Sequence, residues 1–296
     1  MNRSILLFAA FLAGFPATSS GQDEGQLVGH FKAVYQNWRA AMIRKDAAMW
    51  KQLTSNATQI KVRNRIWSSR QKFPEAVFNV PMTSPSLDNL EAMSVRLKGP
   101  TAKATYFGKI DFGVGGDPSK NLFVISYVRE ANGWKYDKAE FVTLGALPEV
   151  RKELEAGNKE FLKGKDFEPD GKIEPAPIAI RGPVKYVTEA YVYGPGREIR
   201  LLVNGISSHL FQNTKRADLV IGGSKDGLNE VQFAIKDIPG GDPKAPMTIR
   251  IYLGSPKLEK PIKALEYQIT DGSKPEETGT LNYTVTPEMA RKLAGR

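Results

Sequence analysis

Few side chains in this chain can do chemistry. Its only histidines are His30 and His209, and it has no cysteine. A thiol nucleophile is therefore absent, and a histidine-activated serine would need one of these two rings beside a hydroxyl and a carboxylate. The two histidines fall in different expected domains, so the sequence predicts no triad short of one assembled across a domain interface. A Ser-Lys device has no signature either. A zinc site built on histidine or cysteine lacks its ligands, and both histidines are expected as structural or surface residues. No cofactor is expected.

Glycine motifs fail on their context. Gly113-Val114-Gly115-Gly116 lies between two expected strands, whereas a dinucleotide fingerprint opens a helix after a strand. Gly222-Gly223-Ser224-Lys225 lacks the upstream glycine and the following helix of a phosphate loop. The loop acids Asp226, Asp237, Asp242 and Asp271 could offer oxygen ligands to calcium, but their spacing follows no repeat.

What remains is a pocket. Tyr106, Tyr127, Trp134 and Tyr136 fall on expected strands, and Tyr35 and Trp38 fall on an expected helix opposite them. Such a set either fills a core or lines an apolar ligand cavity. Tyr35, Trp38, Tyr106, Tyr127 and Trp134 are the candidate ligand-binding residues. Asp111 and Asp137 are the carboxylates placed to act as a general base there. Strict alternation, however, sets Asp111 opposite Tyr106 and Asp137 opposite Trp134, which points both acids away from the aromatic wall and argues against catalysis.

The elements that must position these residues begin with Gln26 to Leu53. Phe31, Val34, Tyr35, Trp38 and Met42 recur at helical spacing, and Asp46 is placed to cap a second short helix carrying Met49, Trp50 and Leu53. Thr58 to Trp67 fits both periods. Ile60, Val62 and Ile66 alternate with Lys61, Arg63 and Arg65 as in a strand, yet Ile60, Arg63 and Trp67 share a helical face, and the helix reading is preferred. Four strands follow between Leu90 and Thr143. Asn132-Gly133 is expected as a tight hairpin, since both residues tolerate positive φ. Helices first and an antiparallel sheet second define an α+β layout.

These same stretches carry a resemblance. FKAVYQNWRAAMIRKDAAMWKQLTS followed by strands ending in NGWKYDKAEF resembles the nuclear transport factor two-like superfamily, which includes SnoaL-type and ketosteroid-isomerase-type proteins. The likeness rests on the tryptophan-bearing helix, Lys45-Asp46 after it, and Gly133, Trp134 and Lys135 in the closing strand. It covers about residues 24 to 143. It implies a cone-shaped fold with helices on a curved sheet. Enzymes, ligand binders and interaction modules all use that fold, so it selects no activity.

Beyond it, Leu147 to Leu162 reads as a helix that Pro148 starts and Gly157 stops or kinks. Lys163 to Pro183 reads as an extended, proline-containing connector. The last third offers about eight candidate strands with turn signals such as Gly194-Pro195-Gly196 between them. An immunoglobulin-like β-sandwich is expected there by pattern. The expected divisions are 1–21, 24–146, 147–183, 184–286 and a tail or short helix at 287–296.

Charge and compartment complete the sequence reading. Met1 to Arg3 gives a positive start, Ile5 to Phe15 an apolar run and Pro16 to Gly21 a small-residue tail, the pattern of a secretory signal peptide. The run is shorter than the about 20 residues of a spanning helix, so no transmembrane segment is expected after signal removal. Absence of cysteine suits a bacterial periplasm or exterior. Of the net charge of +10, most gathers between Ile43 and Lys72, where eight basic residues face the single acid Asp46. Arg63, Arg65, Arg70 and Lys72 are the candidate anion-binding residues, either for an anionic envelope component or as a solvated helical face. Another exported protein is the other expected partner, and nucleic acid is not expected.

The expectation is therefore an exported, non-enzymatic binding or envelope-interaction protein. Its alternative is a small-molecule binder, or a cofactor-independent isomerase, lyase or hydrolase, that uses a cavity in the first domain.

Overall fold

A computed structural model describes residues 22–80, 84–110, 118–242, 244–270 and 272–296. The expected signal peptide, Asp111 and the Gly113–Gly116 run lie outside them. The fold mixes helix and sheet. Helices α1 (Gln22–Arg44), α2 (Ala47–Leu53) and α3 (Asn56–Ser68) come first. The Asp46 side chain caps α2 by accepting from the Met49 N–H at 2.9 Å, and Ser55 caps α3 through Thr58 N–H. The ambiguous segment is thus helical. With Ser55 supplying the cap and no proline between it and Pro74, its period-2 alternation does not prevail.

Strands β1 (Glu91–Lys98), β2 (Thr101–Ile110), β3 (Ser119–Glu130) and β4 (Gly133–Val142) form an antiparallel sheet in sequential order. Only Gly133 of the Asn132-Gly133 pair has positive φ, because Ala131 and Asn132 form the two-residue loop and Gly133 sits at the strand start opposite Glu130.

Both faces of this sheet are covered. Tyr106, Phe123, Ile125 and Tyr127 meet Phe31, Tyr35, Trp38 and Trp50 from the helices. Phe107, Leu122 and Val124 on the other face meet Leu154 of α4 (Pro148–Glu155) together with Leu162 and Phe167. Two covered faces explain why β2 and β3 are buried almost without interruption.

The connector is pinned rather than free. Lys103 Nζ donates to Asp166 O, Gly171 N–H to Thr101 Oγ1, and Asn64 bonds both Ile178 O and Ile180 N–H. Phe161, Leu162 and Phe167 supply the apolar anchor that its prolines obscure in the sequence.

The remaining strands are six, not eight, and share one sheet. They are β5 (Val187–Val203), β6 (Ser207–Leu219), β7 (Gly227–Asp237), β8 (Met247–Gly254), β9 (Ile262–Ile269) and β10 (Thr278–Val285). Gly194-Pro195-Gly196 forms a bulge within the continuous β5, not a turn between strands. One edge of β5 pairs with β6. The other pairs with β8 over Val187–Tyr193 and with β7 over Arg197–Val203. The two arms curl until Phe233 on β7 stacks on Tyr267 of β9 at 5.3 Å, so the sheet is nearly barrel-shaped and not a pair of separate sandwich layers. Helix α5 (Pro287–Leu293), capped by Thr286, ends the chain. Among the described residues no helix is long and apolar enough to cross a membrane.

Candidate functional site

An open cleft of about 750 Å³ lies between the helices and β4. Its floor is Trp38 and Tyr136, stacked at 3.7 Å and 17°. Trp38 is fixed from behind by its indole N–H, which donates to Thr54 Oγ1 at 3.1 Å. Met42, Trp50, Val62 and Ile66 add apolar wall, and Lys61, Arg65 and Lys138 stand among the lining residues with Asp137. Lys61 pairs with Glu174 and Lys138 with Glu140, whereas Arg65 has no ion pair among the described residues.

Asp137 faces this cleft because the sheet breaks its own period. Tyr136 pairs with Tyr127 and Lys138 with Ser126, which leaves Asp137 as an extra residue in a β-bulge. The bulge turns the carboxylate toward α3, contrary to strict alternation. Its Oδ1 accepts from Ser55 Oγ at 2.5 Å, and Thr58 Oγ1, which lies 3.1 Å from the same oxygen, has its nearer acceptor in Asp137 O at 2.8 Å. The carboxylate therefore sits at the positive end of α3, and with Ser55 N–H donating to Tyr136 O it ties β4 to the helix start. An oxygen committed to the Ser55 hydroxyl orients structure first.

The expected aromatic set divides. Trp38 lines the cleft, but Tyr35, Tyr106 and Tyr127 are buried in the core, and Trp134 packs edge-on against Phe31 at 5.0 Å. Tyr35 donates to Pro85 O and Tyr127 to Phe31 O. Burial raises the hydroxyl pKa of Tyr35 and Tyr127, raises that of Tyr136 with help from Asp137, and pushes Tyr106 up to about 12. None of the four ionises near neutrality. Tyr136 and Trp50 are lining residues that the candidate set lacked; their aromatic character was the available signal.

The four basic residues also separate. The Arg63 guanidinium lies 5.0 Å from the Trp67 ring centre, Arg65 lines the cleft, Arg70 lines a different one, and Lys72 is exposed beside neither. They form no single anion site, because Arg63 and Arg65 stand two helical steps of about 100° apart on α3, and Arg70 and Lys72 lie beyond its end at Ser68.

His209 has neighbours that the sequence did not promise. Ser207 Oγ lies 2.8 Å from its Nε2, and Asp218 Oδ2 lies 3.8 Å from its Nδ1. All three belong to β6, so no domain interface is needed. The arrangement is nonetheless sealed: Ser207 is 2% exposed, its Oγ also accepts from Ile221 N–H, and the Asp218 distance exceeds a hydrogen bond. Burial lowers the His209 pKa, with Asp218 opposing. His30 is exposed on α1. No group of three His, Cys, Asp or Glu side chains suited to a metal occurs among the described residues.

Comparison of the chain with family models, with curated proteins and with solved structures finds no match.

Proposed function

We propose that this chain is an exported, non-enzymatic binding protein of two domains, with a nuclear transport factor two-like cone domain first and a curled β domain second. Its ligand on this reading is a small molecule with a flat apolar body and an anionic end. The observation that carries the reading is the open cleft floored by the Trp38–Tyr136 stack, beside which Arg65 has no ion pair. Stacked rings accept a flat apolar surface, and the unpaired guanidinium supplies the anion contact. The signal-like start supports export to a bacterial periplasm or beyond. The enzymatic alternative would use Asp137 as base, and its structural tie to Ser55 at the start of α3 weighs against it.

The probe 1-anilinonaphthalene-8-sulfonate has both required parts. Its saturable fluorescence gain should disappear in Met42→Trp, which fills the cleft, and weaken about fivefold or more in Arg65→Ala. Equal binding by the parent and both variants, with unchanged circular dichroism, would refute the assignment.

A further inference from the structure

A second cleft, of about 920 Å³, lies where the end of α3 meets the six-stranded sheet and α5. Tyr186, Val187, Ala290 and Leu293 give it an apolar floor. Five basic residues line it, Arg70, Lys185, Lys257, Arg291 and Arg296, and no acidic side chain does.

The cations come from separate parts of the chain, and the backbone gathers them. Arg70 follows α3 at φ 57, and its guanidinium donates to Lys185 O at 3.4 Å. Lys185 is already neutralised by Asp226, which also accepts from Tyr186. Ser255 Oγ donates to Leu293 O at 2.7 Å, which fastens the loop bearing Lys257 to the end of α5, where Arg291 and Arg296 lie. Arg70, Lys257, Arg291 and Arg296 are exposed, and none has an ion pair among the described residues.

Four like charges without a direct ion pair around one concavity repel one another, Arg291 alone being eased by the field of Glu288, and a multiply charged anion placed between them removes that repulsion. Guanidinium forks match phosphate oxygens in pairs. We propose that this cleft binds a soluble small molecule bearing phosphate, with at least two negative charges, held between the α3 end and α5. The concave floor fits a soluble ligand and not a flat lipid surface. The residues involved are distinct from those that hold the ligand of the first cleft, with Ser69 alone lining both.

Inorganic pyrophosphate titrated into the full chain by calorimetry tests the site. Binding should weaken about tenfold between about 50 and about 300 mM NaCl, because exposed charges are screened. The double variant Lys257→Ala, Arg291→Ala should weaken binding about tenfold or more, while Lys215→Ala on β6 should not. Fluorescence of 1-anilinonaphthalene-8-sulfonate in the first cleft should be unchanged by the double variant, which keeps the two sites separable. No heat at millimolar pyrophosphate, affinity unaltered in the double variant, or binding to phosphatidylglycerol vesicles without binding to pyrophosphate would overturn the proposal.

Discussion

Ser55 and Asp137 meet at 2.5 Å across 82 positions of sequence, and that contact joins the start of α3 to the bulge in β4. The carboxylate serves as an outer cap for the helix, beyond the Ser55 hydroxyl that accepts from Thr58 N–H. Asp137→Asn keeps the shape and an acceptor but removes the charge. The expected loss is about 1–2 kcal/mol in urea unfolding, from the helix dipole and the weakened charge-assisted bond from Ser55. Because Asp137 is the one acidic lining residue of the first cleft, an anionic probe should bind the variant about two- to fivefold more tightly. Weaker probe binding in a folded variant would contradict this placement of the carboxylate.

Tyr106 offers the opposite case. Its side chain is 1% exposed, and its hydroxyl has no hydrogen-bond partner among the described residues. Removing a buried hydroxyl that bonds nothing relieves a desolvation cost. Tyr106→Phe should leave stability unchanged or raise it by up to about 1 kcal/mol, and should not alter ligand affinity. A loss above about 1 kcal/mol in chemical denaturation would show that the hydroxyl has a partner, such as a bound water.

His209 gives the chain a pH dependence near neutrality. Its folded pKa lies below the ordinary 6.5 because burial disfavours the charged ring, with Asp218 acting against the shift and Arg216 with it. Below about 6.5 the unfolded chain therefore binds more protons at this position than the folded one, so stability falls as pH drops toward the depressed value. Above about 6.5 the ring is neutral in both states and contributes no slope. Urea melts from about pH 5 to 8 should show this decline, and His209→Gln should flatten it. The carboxylates with lowered pKa, Asp226 and Glu266 among them, act only at lower pH, below their ordinary values of 3.8 and 4.5.

Much of the first sheet and its helices was legible because its signals are local. Asp46 announces a cap, and Phe31, Tyr35, Trp38 and Met42 keep one helical period. What the sequence hid were departures from period. The bulge at Asp137 depends on pairing with Ser126 and Tyr127 in another strand, so no window around Asp137 contains it. Arg65 and Arg70 look like one basic run, yet α3 ends at Ser68 and Arg70 follows at φ 57, which sends them to different clefts. Likewise Ser207 and His209 are two residues apart on a strand, but Asp218, nine positions beyond His209, reaches them only because β6 bends sharply on itself, with Asn213 at φ 41.

Gly196 tests the same lesson in β5. A Gly-Pro-Gly sequence signals a turn, but here β5 continues through it, with residues 195–197 facing Asn213 alone on β6. Gly196 has φ +65, and a Cβ on it would come within 2.8 Å of Gly241 Cα, which is backbone and cannot rotate away. Its own N–H is held by Asn213 Oδ1 at 3.0 Å, which fixes the bend from the other strand. Gly196→Ala therefore meets strain in conformation and in space together. The expected loss is about 2–4 kcal/mol, seen as a lower urea midpoint. Gly133→Ala is the comparison, since that glycine also has positive φ but open space around its Cβ, and it should lose only about 1–2 kcal/mol. If both variants lost the same amount, φ alone would account for the cost, and the close approach of β5 to the 240–242 loop would not constrain the bend.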